Sequence, residues 1–120
     1  MLIFGLNFKT APVSIRESFA VSQEHLPAAL AEIKQLAPIQ EAVLLSTCNR
    51  TEVIVVCDDS DRAAEVLTRW FSGRTQTLSG DGSVTYDCYR DEQALTYLLR
   101  LACGLESLVL GEYQILGQVK

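Results

Sequence analysis

Residues 42–57 read AVLLSTCNRTEVIVVC, two apolar runs around a polar centre. Ala42 to Leu45 and Val53 to Cys57 are rich in aliphatic and β-branched residues and are too short for helices. They predict two buried strands joined by a polar corner at Ser46-Thr47-Cys48-Asn49-Arg50-Thr51-Glu52. This hairpin sets the class of the fold, because everything on either side of it must cover its apolar faces.

On the N-terminal side, Leu2 to Phe8 reads LIFGLNF and predicts a first strand, followed by a loop at Lys9-Thr10-Ala11-Pro12. Leu26, Ala29, Leu30, Ile33, Leu36 and Ala37 recur on one face of a helix, with Ser22 as N-cap, Pro27 in the first turn and Pro38 as the stop. On the C-terminal side, Asp61 is expected to cap a second helix with Ala63, Val66, Leu67, Trp70 and Phe71 on its apolar face. Trp70 and Phe71 read as core. A loop is expected over Ser72 to Ser83, then a half-exposed strand from Val84 to Arg90. Asp91 opens a third helix through Ala94, Leu95, Leu98, Leu99 and Ala102, which Gly104 ends. The tail LESLVLGEYQILGQVK has helical apolar spacing interrupted by Gly111 and Gly117, and the chain reads as cut inside an element.

The order β-α-β-β-α-β predicts an α+β fold of ferredoxin-like type. Four antiparallel strands carry helices on one face, with extra C-terminal helices added. At 120 residues the chain is one domain. Ten basic against fifteen acidic residues leave a net charge of −5, which argues against generic affinity for a phosphate backbone. No apolar run approaches the 18 or more residues that span a bilayer, and Met1 to Phe8 lacks the features of a signal peptide. A cytoplasmic protein is the expected setting. Cys48, Cys57, Cys88 and Cys103 show no paired spacing and read as free thiols, with no metal site. The segment GDGSVT lacks the third glycine of a dinucleotide loop and precedes a strand, so it is set aside.

Chemistry concentrates in the polar corner. A thiol on a turn between two strands is exposed on rigid supports, and Arg50 two residues away favours thiolate. Thr47 and Asn49 are suited to donate to a developing oxyanion. Asn and Thr are also ordinary turn residues, so residue chemistry alone leaves both a nucleophile and an ordinary hairpin turn open.

Three blocks carry a family resemblance: FGLNFKTAPVSIRE at 4–17, LLSTCNRTE at 44–52 and GLESLVLGEYQILGQVK at 104–120. In this order and separation they resemble the N-terminal catalytic domain of glutamyl-tRNA reductase, the enzyme that commits glutamate to tetrapyrrole (porphyrin) synthesis. The resemblance implies that Cys48 attacks the ester of glutamyl-tRNA to form a thioester, which NADPH reduces to glutamate-1-semialdehyde. It implies that Thr47, Asn49 and Arg50 bind substrate, with Arg50 suited to the glutamate carboxylate. It adds Ser107, Glu112, Tyr113, Gln114 and Gln118 from the tail, with Glu112 a partner for the α-ammonium.

In the same way, residues 1–120 are expected to be a single substrate-binding domain cut before the family's NADPH-binding and dimerisation domains. The fragment is then expected to show at most esterase activity. The full-length protein is expected to be a homodimer whose product passes to glutamate-1-semialdehyde aminomutase. Two residues depart from the family pattern, Phe8 and Tyr97, each where the family usually has His. The Tyr97 position is the one expected to assist the chemistry, so the alternative is a non-catalytic relative that binds glutamyl-tRNA or a partner. The single His25 reads as a surface residue.

Overall fold

A computed structural model describes residues 1–74 and 86–104. The elements run β1 (Leu2–Asn7), α1 (Val13–Phe19), α2 (Leu26–Lys34), β2 (Ile39–Ser46), β3 (Arg50–Cys57), α3 (Ser60–Arg74), β4 (Asp87–Arg90) and α4 (Glu92–Ala102). The strands form one antiparallel sheet in the order β2-β3-β1-β4. This is the ferredoxin-like arrangement expected from the sequence.

All six residues of β1 are buried, because the strand lies inside the sheet and both of its faces are covered. Its alternation sorts two cores. Leu2, Phe4 and Leu6 face a cluster with Phe19, Ala29, Ile33, Ala63, Leu67 and Phe71, which puts α1, α2 and α3 on one face. Phe71 carries much of that packing, with ring centroids 5.7 Å from Phe4, 5.9 Å from Phe19 and 5.6 Å from Tyr86. Ile3 faces the other way, into a cluster with Leu45, Ile54, Ala94, Tyr97 and Leu101, which seats α4 on the opposite face.

Gly5 lies in the middle of β1 opposite Glu52, at φ 154°. A Cβ there would meet the Thr51 carbonyl oxygen at 2.2 Å and the Glu52 Cα at 2.7 Å, so only glycine lets the two strands approach.

Several sequence expectations are corrected. Residues 13–19, for which the sequence predicts no element, form the short helix α1; seven residues with Pro12 at the N-cap and only Phe19 fully buried show too little periodicity to be seen. Helix α2 stops at Lys34, short of Leu36 and Ala37, and its N-cap is His25. Ser22 instead opens the preceding turn, its Oγ 2.6 Å from the ring of the exposed His25. The cap of α3 is Asp59, whose Oδ1 accepts from the Arg62 amide at 3.1 Å, whereas Asp61 is paired with Arg90. Trp70 is half-buried against the core and donates its indole N–H to Glu32.

The loop expected over 72–83 is helical as far as Arg74, and the rest of it lies outside the described residues, as do Val84 and Thr85. Helix α4 matches its expected span, with Gly104 in a left-handed conformation after it at φ 78°.

Candidate functional site at the β2–β3 turn

The polar corner is tighter than its composition suggests. Strand β2 runs to Ser46 and β3 begins at Arg50, so only Thr47, Cys48 and Asn49 make the turn. The Thr47 amide donates to the Arg50 carbonyl at 2.8 Å, and the Asn49 amide donates to Thr47 Oγ1 at 3.1 Å. Cys48 is left exposed between them. The turn is tied to the helical face as well: Ser46 Oγ accepts from the Val21 amide at 2.8 Å, and Arg16 Nη1 on α1 donates to the Cys48 carbonyl at 3.4 Å. Between turn and helix lies a cavity of about 300 Å³ lined by Val13, Arg16, Glu17, Ala20, Thr47, Cys48 and Asn49.

Arg50, Thr51 and Glu52 belong to β3 and are buried, which polar composition in a corner does not suggest. Strand parity explains it. Arg50 pairs with Asn7, Glu52 with Gly5 and Ile54 with Ile3, so all of them point to the face that α4 covers. Both charged side chains are 0% exposed, and Arg50 Nη1 lies 2.9 Å from Glu52 Oε1. A buried ion pair is tolerated best when its remaining hydrogen-bonding capacity is used, and Tyr97 of α4 uses part of it. Its hydroxyl accepts from Arg50 Nη1 at 3.0 Å and from Asn7 Nδ2 at 3.3 Å, and donates to Glu52 Oε2 at 2.7 Å. One donor and two acceptor lone pairs are then all in use. Asn7 Nδ2 also donates to Asp87 at 3.0 Å, which in turn accepts from Thr10 Oγ1 at 2.8 Å.

Electrostatics follow from this burial. The Tyr97 hydroxyl is pushed well above its usual range by desolvation first and by the Glu52 charge second. Desolvation also raises the Glu52 carboxyl, against the opposing pull of Arg50 and of its hydrogen bonds. Tyr97 therefore keeps its proton at neutral pH. Phe8 stands on the same group from another side, its ring centroid 5.9 Å from Arg50 Cζ. The two residues singled out as departures, Phe8 and Tyr97, thus both contact Arg50.

Of the expected site residues, Thr47, Cys48, Asn49 and Arg50 are brought together by the hairpin. Tyr97 reaches Arg50 from a helix 47 residues away in sequence. Ser107, Glu112, Tyr113, Gln114 and Gln118 lie outside the described residues. Sequence reasoning missed Arg16, hidden in the unrecognised α1, and Asn7, whose alternation with Ile3 and Gly5 in β1 was a usable signal. A second cavity, of about 550 Å³, is lined by residues of β4 and α4 including Tyr89 and Tyr97, whose rings stack at 4.3 Å. Among the described residues no group of three or more His, Cys, Asp and Glu side chains is arranged to hold a metal ion, and no helix is long and apolar enough to cross a membrane.

Comparison with known proteins gives a consistent set of likenesses. The family described as "Glutamyl-tRNAGlu reductase, N-terminal domain" matches residues 4–120. A glutamyl-tRNA reductase of Paenibacillus macerans is 41% identical over 124 residues, covering 100% of this chain and 28% of that protein. One from Stenotrophomonas maltophilia (strain K279a) is 47% identical over 118 residues, covering 98% of this chain and 26% of the relative. The solved structure of glutamyl-tRNA reductase from Methanopyrus kandleri superposes with a TM-score of 0.74 at 30% identity, over 98% of this chain and 26% of that one. The chain therefore spans little more than a quarter of the length of the proteins it matches.

Proposed function

Since this chain belongs to the glutamyl-tRNA reductase family, through the N-terminal domain of that enzyme, we propose that it performs the acyl-transfer half of the conversion of glutamyl-tRNA to glutamate-1-semialdehyde, the entry to tetrapyrrole synthesis. The observation that carries this reading is Cys48, exposed at the tip of a turn that hydrogen bonds hold from both sides, beside a cavity in the same turn.

The Cys48 sulfur attacks the ester carbonyl of glutamyl-tRNA. A carbon–sulfur bond forms, the bond from the carbonyl carbon to the terminal ribose oxygen breaks, and that oxygen takes up the proton the thiol gave up. The products are a glutamyl thioester on Cys48 and free tRNA. Thr47 and Asn49 border the sulfur and supply hydrogen bonds to the oxyanion of the tetrahedral intermediate. Arg50 is assigned to the substrate carboxylate from the family pattern; its guanidinium is fully buried against Glu52 and Tyr97, so the substrate reaches it only by displacing one of these partners. Tyr97 is read as a positioning residue for Arg50, because its proton is committed to Glu52. From the family pattern, Ser107, Glu112, Tyr113, Gln114 and Gln118 complete the substrate site.

The described residues do not fit a dinucleotide. Their strands are all antiparallel, and the chain enters α1 through Pro12 and α3 through Asp59, where a pyrophosphate needs glycine and free amides. The NADPH-dependent reduction is accordingly assigned to the part of the relatives that this chain does not span. In the same reading the full-length enzyme is a cytoplasmic homodimer that supplies glutamate-1-semialdehyde aminomutase.

A second reading draws on Phe8 and Tyr97, which leave no imidazole beside Arg50: a relative that binds glutamyl-tRNA or a partner without reacting. Mass spectrometry after incubation with glutamyl-tRNA separates the two. A glutamyl adduct on the wild-type chain that is missing from Cys48→Ser supports acyl transfer. Binding with no adduct supports the second reading.

A further inference from the structure

We propose that Arg16 forms a subsite for the phosphodiester at the acceptor end of the tRNA, on the leaving-group side of Cys48. The proposal rests on the reading of Cys48 as acyl acceptor.

An acyl-tRNA carries two anionic groups on opposite sides of its reacting ester: the glutamate carboxylate on the acyl side, and the phosphodiester of the terminal adenosine on the leaving side. The structure places one guanidinium on each side of the thiol-bearing turn. Arg50 lies under the α4-covered face of the sheet, fully buried and braced by Glu52 and Tyr97. Arg16 lies on the opposite side, on α1, where it lines the cavity that Cys48 also lines.

The two environments differ in a way that suits the two anions. The family pattern assigns the carboxylate that stays through the covalent intermediate to Arg50, which is buried and immobilised by Glu52 and Tyr97. A phosphate that must depart with the tRNA is matched by Arg16, which is half-exposed and, among the described residues, anchored by a long 3.4 Å contact to the Cys48 carbonyl. Arg16 Nε is shielded from solvent and has no hydrogen-bond acceptor among the described residues. Leaving a charged N–H in that state is costly, and an incoming phosphate oxygen relieves it.

Glu17 also lines the cavity. Its carboxylate repels an anion, so the subsite accepts one phosphate on Arg16 and discourages further ones. This agrees with a chain of net charge −5, which has no general grip on a polynucleotide.

The test compares two esters as donors to Cys48: 3′-O-glutamyl-adenosine, which has no phosphate, and the glutamyl ester of the trinucleotide CpCpA. Wild type is expected to react faster with the CpCpA ester. Arg16→Gln is expected to lower the ratio of the two rates about tenfold or more, Arg16→Lys to restore part of it, and Glu17→Gln to raise it. A turn that is merely loosened slows both esters alike and leaves the ratio unchanged.

An unchanged ratio in Arg16→Gln therefore overturns the subsite, as does equal reactivity of the two esters with wild type. If wild type forms no adduct even with intact glutamyl-tRNA, it is the Cys48 reading that fails. Titration with uncharged CpCpA then decides Arg16: weaker binding by Arg16→Gln, with a salt slope shallower by about 0.7, upholds the subsite, and unchanged binding overturns it.

Discussion

The hydroxyl of Tyr97 donates to Oε2 of Glu52 across 2.7 Å, and this bond joins α4 to the middle of β3. Through the same oxygen, Tyr97 accepts from Arg50 and Asn7, so one side chain joins a charged cluster of four buried residues, Asn7, Arg50, Glu52 and Tyr97. The helix that covers the second face of the sheet is thus located by a polar network as well as by Ala94 and Leu101.

Removing that hydroxyl is expected to cost stability. Tyr97→Phe keeps the ring stacked on Tyr89 but leaves Glu52 Oε2 and Asn7 Nδ2 each short of a partner. The expected loss is about 1–3 kcal/mol in chemical denaturation. A midpoint unchanged from wild type would show that water replaces the hydroxyl.

The raised carboxyl of Glu52 makes a signed prediction for pH. The native state holds this proton more tightly than the unfolded chain, so the stabilising contribution is complete below the ordinary value of 4.5 and declines as pH rises from there through the raised native value. Glu52→Gln is expected to flatten that decline, so that wild type loses stability relative to the variant over the same interval. Parallel denaturation profiles of the two proteins from pH 4 upward would contradict the assignment.

Tyr97 acts at the other end of the scale. Its hydroxyl is raised, so the unfolded chain ionises there first and the native state loses stability as pH climbs above about 10. Tyr97→Phe is expected to remove this part of the alkaline decline, read as a smaller fall in melting temperature above that pH.

Gly5→Ala tests the close approach of β1 and β3. The added methyl meets backbone, at 2.2 Å from the Thr51 carbonyl oxygen, and backbone cannot swing aside as a flexible side chain can. A loss of about 3 kcal/mol is expected, at the upper end for overpacking, together with displacement of Glu52 and slower adduct formation at Cys48. Wild-type stability in this variant would mean that the strands separate without cost.

Ser46→Ala removes the acceptor of the Val21 amide and so unties the α1–α2 connection from the end of β2. The expected cost is about 1–2 kcal/mol, with a lower rate of adduct formation because the wall of the Cys48 cavity is no longer held. A rate equal to wild type would show that the turn is rigid on its own.

Much of this was legible in the chain itself. The apolar runs at 2–6, 42–45 and 53–57 identified strands that do lie in one antiparallel sheet, and the helical spacing from Ala94 to Ala102 identified α4. The corner between the runs singled out the segment that exposes Cys48. These features depend on local periodicity and local turn chemistry, which neighbouring residues decide among themselves.

What only the tertiary structure decided is the environment of the charges. Arg50 and Glu52 look like turn residues because isolated charges belong in water. They are buried because strand pairing brings Asn7 beside them and α4 brings Tyr97 over them, and neither partner is near in sequence. Arg16 reaches the Cys48 turn for a related reason: α1 is too short to show a period and is held in place by the burial of Phe19 and by the bond from Val21 to Ser46. Local pattern determined which residues form strands and helices. The satisfaction of buried polar groups, a property of distant contacts, decided which of them face Cys48 and which face Arg50.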